Sequence, residues 1–169
     1  MIIRKATTAD TPALNALVNG AYRGEGSRKG WTTEADLLDG IRTSEASLNE
    51  MLNSPNAMIL AAEDGKDLQA CVYLEKHDNE LYLGMLTVQP ALQGKGLGAK
   101  LLMAAEESAK DLGCKKIKMT VITVRDTLIA YYLRKGYADT GERQPFPADP
   151  KFGIAKQPLE FMVMEKVLG

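Results

Sequence analysis

The stretch that most constrains this chain runs from Leu81 to Leu112. An apolar run, Leu81–Val88, breaks at Gln89-Pro90. It passes through Gln93-Gly94-Lys95-Gly96-Leu97-Gly98 and opens onto a helical pattern from Ala99 to Leu112. The local order is strand, glycine-rich turn, helix. Such a turn makes an anion site, because the N–H groups at a helix start have no intrahelical acceptors and the helix dipole adds positive potential there. Glycines let the backbone come close to a ligand and adopt left-handed conformations. The stretch is therefore expected to cradle a pyrophosphate.

Two other glycine motifs fit worse. A dinucleotide fingerprint needs Gly-x-Gly-x-x-Gly near the first strand of a βαβ unit. Here the glycines are at 94, 96 and 98, and closely spaced strands precede them. A P-loop needs Gly-Lys followed by Ser or Thr, and Lys95 is followed by Gly96.

The elements around this unit follow from periodicity. Ile2–Ala6 reads as a strand. Thr7–Asp10 supply caps, Pro12 suits a first helical turn, and Ala13, Leu14, Leu17, Val18 and Ala21 recur at helical spacing. Residues 23–30 (RGEGSRKG) form a charged, glycine-rich loop leading to the only tryptophan, Trp31. Thr32-Thr33-Glu34 caps an expected short helix carrying Leu37, Leu38 and Ile41, and Ser44–Asn53 forms another, ended by Pro55. Three close runs, Ala57–Ala62, Leu68–Glu75 and Glu80–Val88, predict an antiparallel meander. After the glycine loop, Leu97, Leu101, Ala105, Ser108 and Leu112 line one helical stripe, with Leu102 and Ala109 beside it, and Gly113 suits the C′ position. Lys116–Val124 is a strand, expected parallel to its predecessor, and Asp126–Lys135 a short helix stopped by Gly136. Tyr137 begins another strand. Residues 141–158, with four prolines, read as an irregular excursion, and Leu159–Val167 is the last strand.

At 169 residues the chain is expected to be a single domain, 1–169. A net charge of -1 and a pI near 5.9 argue against nucleic acid as the main partner. No apolar run reaches the roughly 20 residues of a membrane span, so no membrane association is expected. Met1-Ile2-Ile3-Arg4-Lys5 places charge where a signal peptide needs its apolar core. Cys71 and Cys114 have no metal-type spacing and read as buried thiols in a reducing cytoplasm, so the expected localisation is cytoplasmic. One histidine, His77, makes a poor basis for a metal site or a Ser-His-Asp triad, and no metal is expected.

The element order β-α-α-β-β-β-α-β-α-β-β, with Gln93, Gly96 and Gly98 in a Gln-x-x-Gly-x-Gly arrangement, resembles the GNAT superfamily of acyl-CoA-dependent N-acetyltransferases. A second landmark of that family, Tyr-x-x-x-Gly-Phe/Tyr ending a short helix, is filled by Tyr132, Gly136 and Tyr137. The motif resemblance covers about residues 84–137. It implies an α/β (α+β) fold with a mixed, mostly antiparallel central sheet of six to seven strands flanked by helices, containing a β-α-β cofactor unit. It also implies acetyl-CoA as co-substrate and direct attack by a primary amine, most simply a small molecule. A peptide amine and a non-catalytic acyl-CoA sensor are the alternatives.

The resemblance assigns roles as follows. Gln93, Gly94, Lys95, Gly96, Leu97, Gly98 and Ala99 would hold the pyrophosphate. The main chain of Leu86, Thr87 and Val88 would pair with the pantetheine arm, with Leu128 beside it. Tyr132 would be the general acid, since a phenol with a reference pKa of about 10 stays protonated at neutral pH. Arg125 stands where many members carry an asparagine; it is a candidate for a cofactor phosphate or else a surface charge. Gly84 stands where members with a carboxylate base carry glutamate, so a water relay, Glu75 or Glu34 must serve instead. Tyr22, Arg23, Trp31, Thr32, Glu34 and Glu75 are the candidates for the acceptor site. A homodimer is left open, with the Met- and Val-rich last strand as an element that could pair or pack against a partner.

Overall fold

A computed structural model describes residues 1–22, 38–39, 42–147 and 154–169. Of the acceptor-site candidates, Arg23, Trp31, Thr32 and Glu34 lie outside the described residues. The elements are β1 (Ile2–Lys5), α1 (Thr11–Tyr22), β2 (Leu38–Asp39), α2 (Glu45–Asn53), β3 (Ala57–Asp64), β4 (Asp67–His77) and β5 (Glu80–Val88). They continue with α3 (Leu97–Asp111), β6 (Lys116–Ile122), α4 (Asp126–Arg134), β7 (Ala138–Pro145), β8 (Ile154–Ala155) and β9 (Glu160–Val167). Seven strands form one sheet in the order β1-β3-β4-β5-β6-β9-β7. Every neighbouring pair is antiparallel except β5 and β6, which are parallel and joined through α3. This is the mixed, mostly antiparallel sheet with a β-α-β unit that the sequence implied.

The inner strands β3, β4 and β5 are buried on both faces, and strand alternation sorts their residues between them. On β3, Leu60 and Ala62 join the core under α3, with Leu101, Ala105 and Ala109 of that helix. Ile59 and Ala61, one residue out of phase, pack against Leu14, Leu17 and Val18 of α1 and Leu48 of α2. A single 3-10 turn, Thr8–Asp10, leads into α1, and a capping box closes between Thr7 and Asp10. Asp10 also receives two hydrogen bonds from the Arg4 guanidinium, which ties the helix start to β1. Ser44 caps α2 by accepting the N–H of Ser47.

Three expectations are corrected. Leu38–Asp39 is not helical; it pairs antiparallel with Ile154–Ala155 in a separate two-stranded sheet. The spacing of Leu37, Leu38 and Ile41 imitates a helix, but the backbone of Leu38 and Asp39 takes its partner from far along the chain. The rest of that expected helix lies outside the described residues. Second, the excursion assigned to 141–158 begins later, because β7 runs to Pro145. All eight of its residues are exposed at a sheet edge, so it shows no apolar alternation, and an edge tolerates proline. Third, of the two ways β9 could meet a second copy, edge pairing is excluded, because β9 lies between β6 and β7 with both sides hydrogen-bonded; packing through its face is the way that remains.

Candidate active site

The site is organised by an irregularity in β5. Its register with β4 runs from His77↔Glu80 to Tyr73↔Gly84, then resumes at Cys71↔Thr87. Two residues, Met85 and Leu86, therefore face one, Val72. This is a β-bulge, and Met85 sits at φ 55°, an uncommon conformation for a residue with a side chain. The bulge reverses which residues face α3. Before it Leu81 and Leu83 belong to that core; after it Leu86 and Val88 do, while Met85 joins the opposite one. The fully buried Thr87 braces the turn by donating from Oγ1 to the Met85 carbonyl at 2.8 Å. On the other side, the hydroxyl of Tyr22, from the last turn of α1, donates to the Leu86 carbonyl.

Pairing of β5 with β6 ends early. It covers Glu80↔Lys116 to Tyr82↔Lys118 and stops there. Beyond Tyr82 the two parallel strands are no longer paired, and of the β5 carbonyls past that point Leu86 accepts from Tyr22 and Val88 from Gln93. Tyr82 leans across the opening, its hydroxyl 3.4 Å from Thr120 Oγ1. The same ring explains Gly84: a Cβ there would stand 3.0 Å from Tyr82 Cε1. A glutamate at that position would have to displace the tyrosine.

Past β5, Gln93 Nε2 donates to the Val88 carbonyl at 3.1 Å and holds the glycine loop against the strand. Gly94 and Gly96 have φ of 83° and 84°, the left-handed region that favours glycine, and Gly96 is the N-cap of α3. Gly98 is small for a different reason. A Cβ on it would lie 3.1 Å from the Tyr131 hydroxyl, so the α4 ring and the start of α3 approach each other only through glycine.

Two cavities open on this framework. One, of about 420 Å³, is lined by Val88, Gln93, Gly94, Gly96, Leu97, Gly98 and Ala99, and across from them by Thr127, Tyr131, Arg134 and Lys135 of the α4 region. Arg134 and Lys135 flank the Tyr131 ring at 6.0 and 5.5 Å. The other, of about 400 Å³, is lined by Tyr22, Arg42, Met51, Tyr73, Tyr82, Gly84 and Met85, with Met119, Arg125, Phe146 and Phe161 among the residues opposite. Leu86, Leu128 and Tyr132 line both. The cavities thus meet at the bulge and at one tyrosine.

Tyr132 is 5% exposed and packs edge-on between Tyr131 and Tyr137, at centroid distances of 5.5 and 5.8 Å. Burial is the main reason its phenol is pushed well above the ordinary value; neighbouring Tyr22 adds to this, and the charge of Arg125 opposes it. The group stays a protonated donor throughout the neutral range. Tyr73, on the far side of the second cavity, donates its hydroxyl to Glu75 Oε2 at 2.5 Å, and His77 Nε2 lies 3.3 Å from Glu75 Oε1. Desolvation, then the hydrogen bond to the Glu75 carboxylate, holds the Tyr73 phenol protonated.

The sequence candidates distribute unevenly over this geometry. Leu86, Val88, Gln93, Gly94, Gly96, Leu97, Gly98, Ala99, Leu128 and Tyr132 come together around the first cavity. Thr87 is sealed in the sheet, and Lys95 is exposed without lining either cavity. Arg125, at the N-cap of α4, lines the second cavity and not the first. Tyr22 lines the second cavity, and Glu75 reaches it only through Tyr73. Sequence reasoning passed over Tyr73, Tyr82, Arg42, Arg134 and Lys135. The bulge itself had a legible signal: the apolar phase of Leu81 and Leu83 slips by one residue to Leu86 and Val88.

The fit to an acyl-CoA can be tested on these residues. The left-handed glycines and the α3 start suit a pyrophosphate, Arg134 and Lys135 suit further phosphate, and the β5 edge beyond Tyr82 suits an extended amide chain. Residues 18–137 match the family described as the Acetyltransferase (GNAT) family. The chain belongs to this acetyltransferase family. A relative called IAA acetyltransferase, from Azospirillum brasilense, is 32% identical over 72 residues; the match covers 43% of this chain and about half, 47%, of that protein. Ribosomal-protein-alanine N-acetyltransferase from Brucella melitensis has the same fold, with a TM-score of 0.73 at 21% identity, covering 99% of this chain and 100% of that one. yncA from Salmonella typhimurium, solved with its cofactor acetyl-CoA, has a TM-score of 0.71 at 21% identity, covering 100% of this chain and 94% of that one. Among the described residues no cluster of His, Cys, Asp or Glu could hold a metal, and no helix is long and apolar enough to cross a membrane.

Proposed function

We propose that this chain, acting as a single domain, transfers the acetyl group of acetyl-CoA to the primary amine of a small molecule by direct attack. The observation that carries this reading is the meeting of two cavities at Leu86, Leu128 and Tyr132. A donor entering along the glycine loop and an acceptor entering from the other side would touch at that point. A second cavity of about 400 Å³ is the size of a small-molecule site.

In this reading the backbone N–H groups of residues 94–99, with Arg134 and Lys135 nearby, neutralise the phosphates. The open β5 edge pairs with the pantetheine amides, and the bulge turns main-chain groups near Leu86 toward the thioester carbonyl, where an N–H donor favours the charge that develops on oxygen. The amine forms the new C–N bond as the C–S bond breaks. Tyr132 gives its proton to the departing sulfur and takes one back from solvent before the next turnover. The acceptor's own proton passes to the Tyr73 hydroxyl while Tyr73 hands its proton to Glu75, and His77, exposed beyond it, carries the proton to solvent. Glu75 thereby supplies the base that Gly84 cannot.

The test is free-thiol release from acetyl-CoA by the purified protein across amines, amino acids and peptides. Release dependent on a small amine supports the reading. Release with peptides alone makes the acceptor a protein, and acetyl-CoA binding without release on any acceptor makes the chain a sensor.

A further inference from the structure

The second cavity is chemically unusual for a site that must receive an amine. None of its described lining residues is Asp or Glu, whereas Arg42 and Arg125 are both in its wall. Arg42 is held there deliberately. Its backbone N–H and that of Thr43 both donate to Asn19 Oδ1, at 2.7 and 3.0 Å, and Asn19 Nδ2 returns a bond to the Thr43 carbonyl at 3.0 Å. This clamp fixes Arg42 to α1, one turn before Tyr22, and the guanidinium lies over the Tyr22 ring with Cζ 5.4 Å from its centroid. Among the described residues Arg42 has no carboxylate partner. Its charge nevertheless reaches inward, opposing the burial that pushes the Cys71 thiol up to about 12.

A positive wall disfavours polyamines, aminoglycosides and lysine side chains, which bring extra positive charge and need acidic residues. It favours an acceptor that carries its own anion. The spacing narrows the class further. One tyrosine ring spans the interval, with Arg42 over its face and its hydroxyl on the Leu86 carbonyl, where the amine must arrive. That interval suits a guanidinium–carboxylate pair plus one intervening carbon. The remaining wall, with Met51, Met119, Phe146 and Phe161, is apolar and aromatic.

We propose that the acceptor is an α-amino acid with an apolar or aromatic side chain, its carboxylate bound by Arg42 so that its amine meets the bulge beside Tyr132. This assignment rests on the transferase reading above and specifies its substrate. The guanidinium presents a planar fork to a carboxylate, which fixes orientation as well as affinity.

The test compares L-phenylalanine with phenethylamine, and L-methionine with 3-(methylthio)propylamine, in thiol release by the wild-type protein and by Arg42→Gln and Arg42→Lys. Gln keeps the backbone N–H that Asn19 binds. A charged hydrogen bond contributes enough to give roughly a 10- to 150-fold preference for each acid over its decarboxylated partner. Arg42→Gln should collapse that ratio toward one through KM with kcat little changed, and Arg42→Lys should restore part of it. A wild-type preference for the decarboxylated amines, or an equal loss on both partners in Arg42→Gln, overturns the assignment. If no acceptor releases thiol, the transferase reading fails by itself. Calorimetry with N-acetyl-L-phenylalanine and N-acetylphenethylamine then decides the anion site separately: selective, Arg42-dependent binding of the acid supports it, and equal or absent binding refutes it.

Discussion

Removing one hydroxyl from α1 should damage a strand 64 residues away. In Tyr22→Phe the ring remains, still packed in the core with α1 and still beneath the Arg42 guanidinium. What is lost is the donor to the Leu86 carbonyl, at a residue only 8% exposed and inside the β5 bulge. Leaving a buried carbonyl unsatisfied costs about 1–3 kcal/mol. For a chain of this size that is a fall in melting temperature of about 2 to 12 °C. Leu86 lines both cavities and its peptide takes part in the proposed mechanism, so on that reading part of the cost should fall on catalysis. If all of it is felt in the transition state, kcat/KM drops by about 5- to 150-fold. The assays are thermal unfolding and initial-rate thiol release at saturating acetyl-CoA. A Phe variant that matches the wild type in both would refute the argument that Tyr22 holds the bulge in its working shape.

Two further outcomes follow from other parts of the site. Gly98→Ala puts a methyl group 3.1 Å from the Tyr131 hydroxyl, so the acetyl-CoA dissociation constant should rise as that ring shifts in the cavity wall, while helix propensity, worth about 1 kcal/mol, offsets part of the roughly 1–3 kcal/mol of overpacking in stability. Isothermal titration checks this, and Gly98→Ala/Tyr131→Phe, which removes the crowding atom, should recover affinity. Stability should also fall in alkali. The phenols of Tyr73, Tyr132 and Tyr137 and the thiol of Cys71 are all held above their ordinary values by burial, so the unfolded chain loses these protons first. The urea midpoint should therefore decline from about pH 9 upward; a flat midpoint to pH 11 contradicts it.

Much of the candidate site's framework was legible because its elements are locally encoded. The β5 run, the glycine loop and the α3 stripe each carry their own periodicity, and Tyr132 is marked by its spacing to Gly136. What was not legible depends on tertiary partners. Arg42 matters only because Asn19, 23 residues earlier, fastens its backbone beside Tyr22. Tyr73 stands beside Glu75 by strand alternation alone, but only the fold shows that it lines the second cavity. Leu38–Asp39 is a strand only by virtue of Ile154–Ala155. Arg134 and Lys135 look like ordinary helix-end charges until the fold sets them in the wall of the cavity that the glycine loop also lines. The bulge is the intermediate case. Its slip in apolar phase is written in Leu81, Leu83, Leu86 and Val88, but a continuous strand fits the same letters unless the phase is counted.

The central claim is that Tyr132 is the proton donor at the point where two substrates meet. It is tested most directly by Tyr132→Phe in thiol release, paired with acetyl-CoA titration. The ring contacts to Tyr131 and Tyr137, at 5.5 and 5.8 Å, survive the change, so the fold and the cofactor cavity should persist. The account predicts a kcat lowered by about 10²- to 10⁴-fold with an acetyl-CoA dissociation constant within about twofold of the wild type. A variant that turns over at the wild-type rate would contradict it.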